Sequence, residues 1–158
     1  LISHTNSRGK VFENLLELGS GCGYQSAVLS FFSEKVDAIE RIKPLVHKSR
    51  ENLSNLKINN VLFSHGDGYE DWDKQKKYDG ILCAAAPRAY PNDLVSVLND
   101  DAKLVIPVGG SSQKLNVITK NKDGEIKEEQ YDDVSFVPML AGKSEDGNDV
   151  WMKKLDIL

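Results

Sequence analysis

A short strand that runs straight into three glycines is the feature that most restricts what this chain can fold into. Residues 14–18 read Asn-Leu-Leu-Glu-Leu, and Gly19, Gly21 and Gly23 follow at every second position. The run is too short for a useful helix and predicts a buried strand that ends at Gly19. In an open parallel sheet, ligands bind at the carboxyl ends of the strands, where glycines let a ligand approach the backbone closely. The alternative is a tight strand-to-helix turn that holds no ligand.

The rest of the chain alternates between short apolar runs and amphipathic stretches. The predicted helices are 24–32, with Ala27, Val28, Phe31 and Phe32 as its apolar face, a stretch from Pro44 to about Leu56, and a stripe of Leu94, Val95 and Leu98. The strands predicted after the first are 36–40, 61–63, 78–84 and 103–108. This alternation predicts a parallel α/β sheet with right-handed crossovers, in which the first three strands are ordered 3-2-1.

The pattern changes after Gly110. Residues 115–119 and 125–137, separated by a turn at Lys122-Asp123-Gly124, predict an antiparallel hairpin at the edge of the sheet. Residues 143–149 read as a polar loop. The apolar residues Val150, Trp151, Met152, Leu155 and Ile157 predict a last strand or short helix.

Length and charge narrow the class of protein. We expect one domain over all 158 residues. The chain has 20 Lys and Arg and 24 Asp and Glu, a net charge of −4, and charges of both signs are mixed along its whole length. The overall charge therefore does not favour binding to nucleic acid or to an anionic membrane. No apolar run approaches the roughly 20 residues of a membrane helix. The two cysteines, Cys22 and Cys83, are too few for a disulfide framework, so we expect a cytoplasmic protein. For the oligomeric state, we favour a monomer.

Two carboxylates follow the next two predicted strands. Glu40 lies 21 residues beyond Gly19, where a carboxylate can accept hydrogen bonds from both hydroxyls of a ribose. Asp67 lies between Gly66 and Gly68 and can accept from an exocyclic amine such as that of adenine. Each has a plain alternative, since Glu40 could be a solvated carboxylate beside Arg41 and Asp67 a turn residue. Because three loops would converge on one nucleoside, we favour a ligand site over three unrelated turns.

The glycine spacing favours one class of nucleotide. A dinucleotide fingerprint requires a small residue where this chain has Tyr24, whereas Gly-x-Gly-x-Gly is typical of S-adenosylmethionine sites. We therefore expect S-adenosylmethionine as the cofactor and S-adenosylhomocysteine as its product.

Six segments together resemble the motifs of protein-L-isoaspartate O-methyltransferases. In chain order they are residues 19–27, Ile39-Glu40-Arg41, Gly66-Asp67-Gly68, residues 78–81 with Ala84-Ala85-Ala86-Pro87, residues 104–109, and Phe136-Val137-Pro138-Met139. The resemblance runs from about Leu15 to about Gly142. It implies a Rossmann-like class I methyltransferase fold of the α/β class, mostly parallel, with helices on both faces and an antiparallel carboxyl-terminal hairpin.

The resemblance also implies roles for individual residues. Those implied in cofactor binding are Glu17, Gly19, Ser20, Gly21, Gly23, Tyr24, Glu40, Arg41, Gly66, Asp67, Gly68 and Ala84. Those implied at the side where a peptide enters are Ala85, Ala86, Val137 and Pro138. Plain packing at strand ends is the alternative for this second group.

The implied function is methyl transfer to the free carboxylate of L-isoaspartyl residues in damaged proteins or peptides. A carboxylate with a pKa near ~3.5 is already ionised at neutral pH, so no general base is needed, and we assign no catalytic residue and no metal. The alternatives are a class I methyltransferase for a small molecule, or a module that binds the cofactor without catalysis. Ile2-Ser3 matches the residue types of an amino-terminal loop in this family. However, Gly19 lies only 16 positions after Ser3, which is fewer than the interval in the family. We expect part of the family's amino-terminal segment to be missing, and Ser3 receives no role.

Overall fold

One twisted sheet organises the part of the chain that the computed structural model describes, residues 9–146. Its strands are Phe12–Leu18 (β1), Ser33–Glu40 (β2), Val61–His65 (β3), Tyr78–Cys83 (β4), Leu98–Gly109 (β5), Gln113–Lys120 (β6) and Ile126–Val134 (β7). Its helices are Tyr24–Phe32 (α1), Lys43–Asn55 (α2) and Asn92–Ser96 (α3). The predictions for Ser3 and for residues 150–157 lie outside the described range.

The strand order is β3-β2-β1-β4-β5-β6-β7. The pairs from β3 through β5 are parallel, whereas β5 with β6 and β6 with β7 are antiparallel. Both the predicted 3-2-1 order and the predicted edge hairpin are thereby confirmed. Because β1 to β5 are parallel, their carboxyl ends meet at one edge of the sheet, which is where the glycines and carboxylates lie.

Most of the predicted apolar face of α1 does not pack on the sheet: Val28, Phe31 and Phe32 are exposed, whereas Ala27 packs against the cluster of Ala38 and Phe63. Ser26 and Ser30 are the buried residues of this helix, while Tyr24 is 78% exposed and Phe31 67% exposed. The reason lies beneath the helix, where Glu17 of β1 is fully buried and needs polar partners. Two serines therefore lie buried against the sheet, and most of the apolar stripe faces outward.

Several element boundaries also differ from the prediction by two to five residues, and those of α3 and β7 have clear physical reasons. Helix α3 ends at Ser96, and Leu98 is the fully buried first residue of β5 rather than part of a helical stripe. Strand β7 ends at Val134, whereas the prediction ran to Val137. It stops early because the side-chain amide of Gln113 takes the place of a strand partner, accepting from Phe136 N at 2.7 Å and donating to Phe136 O at 3.0 Å.

The core lies mainly on one face of the sheet. Leu16, Ile81, Leu104 and Ile118, each from a different strand, pack there with Leu94 of α3. A smaller cluster of Ala38, Val46, Leu53 and Phe63 fills the space between α2 and strands β2 and β3. No helix within residues 9–146 is long and apolar enough to cross a bilayer.

Gly109 is the last residue of β5, at the turn to β6, and its backbone leaves no room for a side chain. Its φ is +140°, and a Cβ there would lie 2.0 Å from Ser112 O, a backbone atom that cannot move aside cheaply. We expect Gly109→Ala to lower the free energy of unfolding by roughly 2 kcal/mol or more, measured by urea denaturation. The neighbouring Gly110 is the matched control, since a Cβ there meets nothing within 4 Å. Equal stability of the two alanine variants would contradict this account of the turn.

Candidate functional site

The glycine loop connects β1 to α1 at the carboxyl edge of the sheet. Gly19, Gly21 and Gly23 all have positive φ, between +55° and +87°, a region that side chains rarely adopt. A Cβ at Gly23 would lie 2.8 Å from Leu53 Cδ1 and 3.0 Å from Ser49 Cβ, so this glycine lets α2 approach. A Cβ at Gly21 would meet nothing within 4 Å, so this part of the loop is open.

Glu40, the last residue of β2, is fixed by the backbone around it. Its Oε2 accepts a hydrogen bond from Gly21 N and its Oε1 from Ile42 N, both at 2.9 Å. The residue is 5% exposed and borders the cavity described below. A carboxylate offers about four acceptor positions, so two remain for donors of a ligand.

Asp67 follows β3 and is held in the same way. Its Oδ1 accepts from Tyr69 N at 2.8 Å, and its Oδ2 accepts from Gly142 N. The second contact is with a segment 75 residues further along the chain. Asp67 therefore joins its own turn to residues that arrive after the last strand.

Residues 136–146, which we call the crossing segment, pass over the strand ends from β4 to β2. Near β4, Val137 O accepts from Ala86 N, and Met139 N donates to Ala86 O, both at 2.8 Å. Near β2, Ser144 N donates to Arg41 O at 2.7 Å, and Ser144 O accepts from Lys43 N at 2.9 Å. Backbone pairing at both ends thus fixes the segment across the top of the site.

A cavity of about 280 Å³ lies between the crossing segment and the strand ends. Of the predicted residues, Gly19, Gly21, Glu40, Arg41, Gly68, Ala84, Ala85, Val137 and Pro138 line it. The lining residues that sequence reasoning missed are Leu18, Ile39, Ile42, Leu45, Cys83, Met139 and Leu140. They are apolar residues at strand ends, at the start of α2 and in the crossing segment, and nothing in their spacing separates them from core residues.

The other predicted site residues do not line this cavity. Gly23 and Tyr24 border a shallow groove between α1 and α2, and Ala86 borders a second groove beside the crossing segment. Ser20 is buried, and its hydroxyl has no hydrogen-bond partner within the described residues. Gly66 supports the fold, because a Cβ there would lie 2.9 Å from Asp71 Cβ.

Glu17 lies under α1 and faces away from the cavity. Its carboxyl accepts hydrogen bonds from the Ser26 hydroxyl and, at 3.1 Å, from Gln25 Nε2. Burial raises the pKa of this carboxyl, and the two hydrogen bonds only partly oppose that effect. Glu17 thus ties the strand before the glycine loop to the helix after it, which makes it a residue that positions the loop.

The described residues contain no group of three or more His, Cys, Asp or Glu that could hold a metal ion. The cavity has instead one buried carboxylate, backbone groups of the glycine loop, and apolar walls. This arrangement suits a nucleoside with a thioether or sulfonium chain, because the carboxylate can take ribose hydroxyls and the walls can take apolar groups.

Comparison with known proteins gives one consistent result. The family model described as Protein-L-isoaspartate(D-aspartate) O-methyltransferase (PCMT) matches residues 10–144. A protein-L-isoaspartate O-methyltransferase of Aliivibrio fischeri (strain ATCC 700601 / ES114) is 44% identical over 130 residues, which are 82% of this chain and 62% of that protein. One from Azoarcus sp. (strain BH72) is 41% identical over 142 residues, 90% of this chain and 65% of the relative. The chain therefore spans about three-fifths of the length of these relatives.

Solved structures agree with the sequence comparison. One crystal structure is described as a protein-L-isoaspartate O-methyltransferase from Plasmodium falciparum in complex with S-adenosyl-L-homocysteine. It matches this chain with a TM-score of 0.72 at 30% sequence identity. It covers 81% of this chain and 66% of that one. A second structure named protein-L-isoaspartate O-methyltransferase, at 23% identity and a TM-score of 0.73, covers 90% of this chain and 46% of that one and supports the fold.

The buried carboxyl of Glu17 predicts a specific pH dependence of stability. Its pKa in the folded state is raised, so the stability it contributes is complete at low pH and is lost as the pH rises through that raised pKa. Glu17→Gln keeps the shape and one acceptor but does not ionise. We expect the free energy of unfolding of wild type, relative to this variant, to fall as the pH rises above the ordinary glutamate range. Urea denaturation of both proteins at a series of pH values measures this, and a constant difference would contradict the burial of an ionisable group there.

Proposed function

Because this chain belongs to the protein-L-isoaspartate O-methyltransferase family, we propose that it transfers the methyl group of S-adenosylmethionine to the free carboxylate of L-isoaspartyl residues in damaged proteins and peptides. The observation that carries the proposal is the cavity at the strand ends, in which Glu40 and the glycine loop face the crossing segment. Val137 and Pro138 of that segment, with Ala85, form the wall on the acceptor side.

The residues of the cavity fit the cofactor. Glu40 keeps two acceptor positions for the ribose hydroxyls, and its two backbone hydrogen bonds hold the carboxylate in place. Asp67 does not line the cavity, but its carboxylate lies where the crossing segment meets the end of β3 and can accept from the adenine amine. Gly19 and Gly21 border the cavity on the side of the methionine chain.

The reaction needs little acid–base chemistry from the protein. When bound, the cofactor supplies an electrophilic methyl group on a positively charged sulfur, and the products are a methyl ester and the neutral thioether. An isoaspartyl carboxylate is ionised at neutral pH, so its oxygen attacks without a base. What the chain must provide is alignment of the carboxylate with the methyl–sulfur bond, for which effective molarities are very large.

Two features of the cavity limit the loss of the methyl group to water and to the protein itself. The crossing segment lies over the strand ends, and the mostly apolar lining of the cavity would limit the water around the methyl group. Burial raises the pKa of the Cys83 thiol to about 11, so this lining residue stays a neutral thiol at physiological pH. Because the thiolate is the nucleophilic form of cysteine, Cys83 does not compete with the substrate for the methyl group.

The partners, the cellular location, the oligomeric state and the extent of the domain are further predictions. We propose isoaspartyl proteins and peptides as partners, with no nucleic acid and no membrane, and a cytoplasmic monomer as the working form. The single domain over 1–158 also stays a prediction, of which residues 9–146 are the part built on one sheet.

A paired peptide assay tests the proposed function. The chain is incubated with S-adenosylmethionine carrying a labelled methyl group and with two peptides that differ only in an isoaspartyl or a normal aspartyl linkage. We expect label in the isoaspartyl peptide alone, as an ester that releases methanol in mild base. Transfer to neither peptide, with S-adenosylhomocysteine still bound, would favour a module without this activity. Equal transfer to both peptides would also contradict the proposal.

A further inference from the structure

A second, open groove of about 930 Å³ adjoins the cofactor cavity. The two share one wall, formed by Pro138, Met139 and Leu140 of the crossing segment. The rest of the groove is lined by Tyr69, the loop after β4, the turn between β5 and β6, and the chain that leaves β7. A peptide whose isoaspartyl residue reaches the cavity would therefore pass through this groove.

The groove has the dimensions of an extended peptide. It runs along the ends of β4, β5, β6 and β7, which are neighbours in the sheet. Neighbouring strands lie roughly 4.8 Å apart, so three intervals give about 14 Å, the length of about four extended residues. The groove can thus contact several residues on one side of the isoaspartyl residue.

Only two of its lining residues carry a charge, Arg88 and Asp133. The carboxylate of Asp133 is paired with Lys114 Nζ at 2.9 Å. The guanidinium of Arg88 is exposed and makes no hydrogen bond or ion pair with any residue between 9 and 146. The other lining residues are uncharged, and six of them on the side of Arg88 and of the turn between β5 and β6 are small, namely Ala86, Ala89, Gly109, Gly110, Ser111 and Ser112. The groove therefore presents one uncompensated cation on an otherwise uncharged surface.

We propose that Arg88 is a specificity-determining residue, which selects isoaspartyl peptides that have an acidic side chain near the modified residue. This inference rests on the proposed function. A guanidinium binds a carboxylate with two parallel hydrogen bonds, which gives geometric selectivity as well as attraction. Arg88 borders the groove but not the cofactor cavity, so it acts on a neighbouring residue and not on the carboxylate that receives the methyl group.

The test uses isoaspartyl peptides in which each of the two positions on either side of the isoaspartyl residue is in turn Glu, Gln or Lys. Peptide affinity is measured by fluorescence anisotropy with S-adenosylhomocysteine present, and KM and kcat by methyl transfer. For wild type we expect at least one position at which Glu binds about three- to fivefold more tightly than Lys, because an exposed ion pair contributes little more than that. The difference should lie in KM and leave kcat unchanged.

Variants of Arg88 identify the cause. Arg88→Gln should remove the preference at that position, and Arg88→Glu should reverse it. Lys35→Glu makes the same change of charge on an exposed residue of β2, a strand on the far side of β1 from the groove, and should keep the wild-type preference. Affinity for S-adenosylhomocysteine should be the same in all four proteins.

The outcomes separate this inference from the function on which it rests. Methylation of isoaspartyl peptides with the same charge preference in wild type and Arg88→Glu overturns the role of Arg88 and leaves the proposed function intact. A wild type that is indifferent to the charge at all four positions does the same. No binding and no methylation of any isoaspartyl peptide overturns both.

Discussion

The carboxylate of Glu40 is the point on which the site depends. It accepts backbone hydrogen bonds from the glycine loop through Gly21 and from the start of α2 through Ile42. Two crossovers that come from different strands of the sheet are thereby held against the end of β2. The parallel order β3-β2-β1-β4 brings the strand ends together, and this one side chain fixes the loops that they carry.

The crossing segment completes what the strand ends begin. Its hydrogen bonds to Ala86, Asp67, Arg41 and Lys43 reach from β4 to α2 and turn an open sheet edge into a covered cavity. The same segment forms the wall between the cavity and the open groove beside it. One stretch of chain thus separates the cavity proposed for the cofactor from the groove proposed for the peptide.

Much of the fold and part of the site could be predicted from local sequence. The glycine spacing, Glu40 at the end of the second strand and the edge hairpin each depend on neighbouring residues, so their patterns survive into the structure. The orientation of α1 could not be predicted, because it depends on the buried Glu17 of another element, which draws Ser26 to the sheet in place of apolar residues. The contact of Gly142 with Asp67 joins residues 75 positions apart, and no local pattern encodes it.

The proposed cofactor site requires that these loops together bind one nucleoside, with Glu40 at its centre. Calorimetric titration of S-adenosylhomocysteine into wild type and Glu40→Ala tests it most directly, with Glu51→Ala on the exposed side of α2 as the control. We expect Glu40→Ala to lose about 1.5–3 kcal/mol of binding free energy, roughly ten- to 150-fold in affinity, since charge-assisted hydrogen bonds to the ribose are removed. Glu51→Ala should bind as wild type does. Unchanged affinity in Glu40→Ala, with a cooperative unfolding transition retained, would show that Glu40 does not hold the ribose.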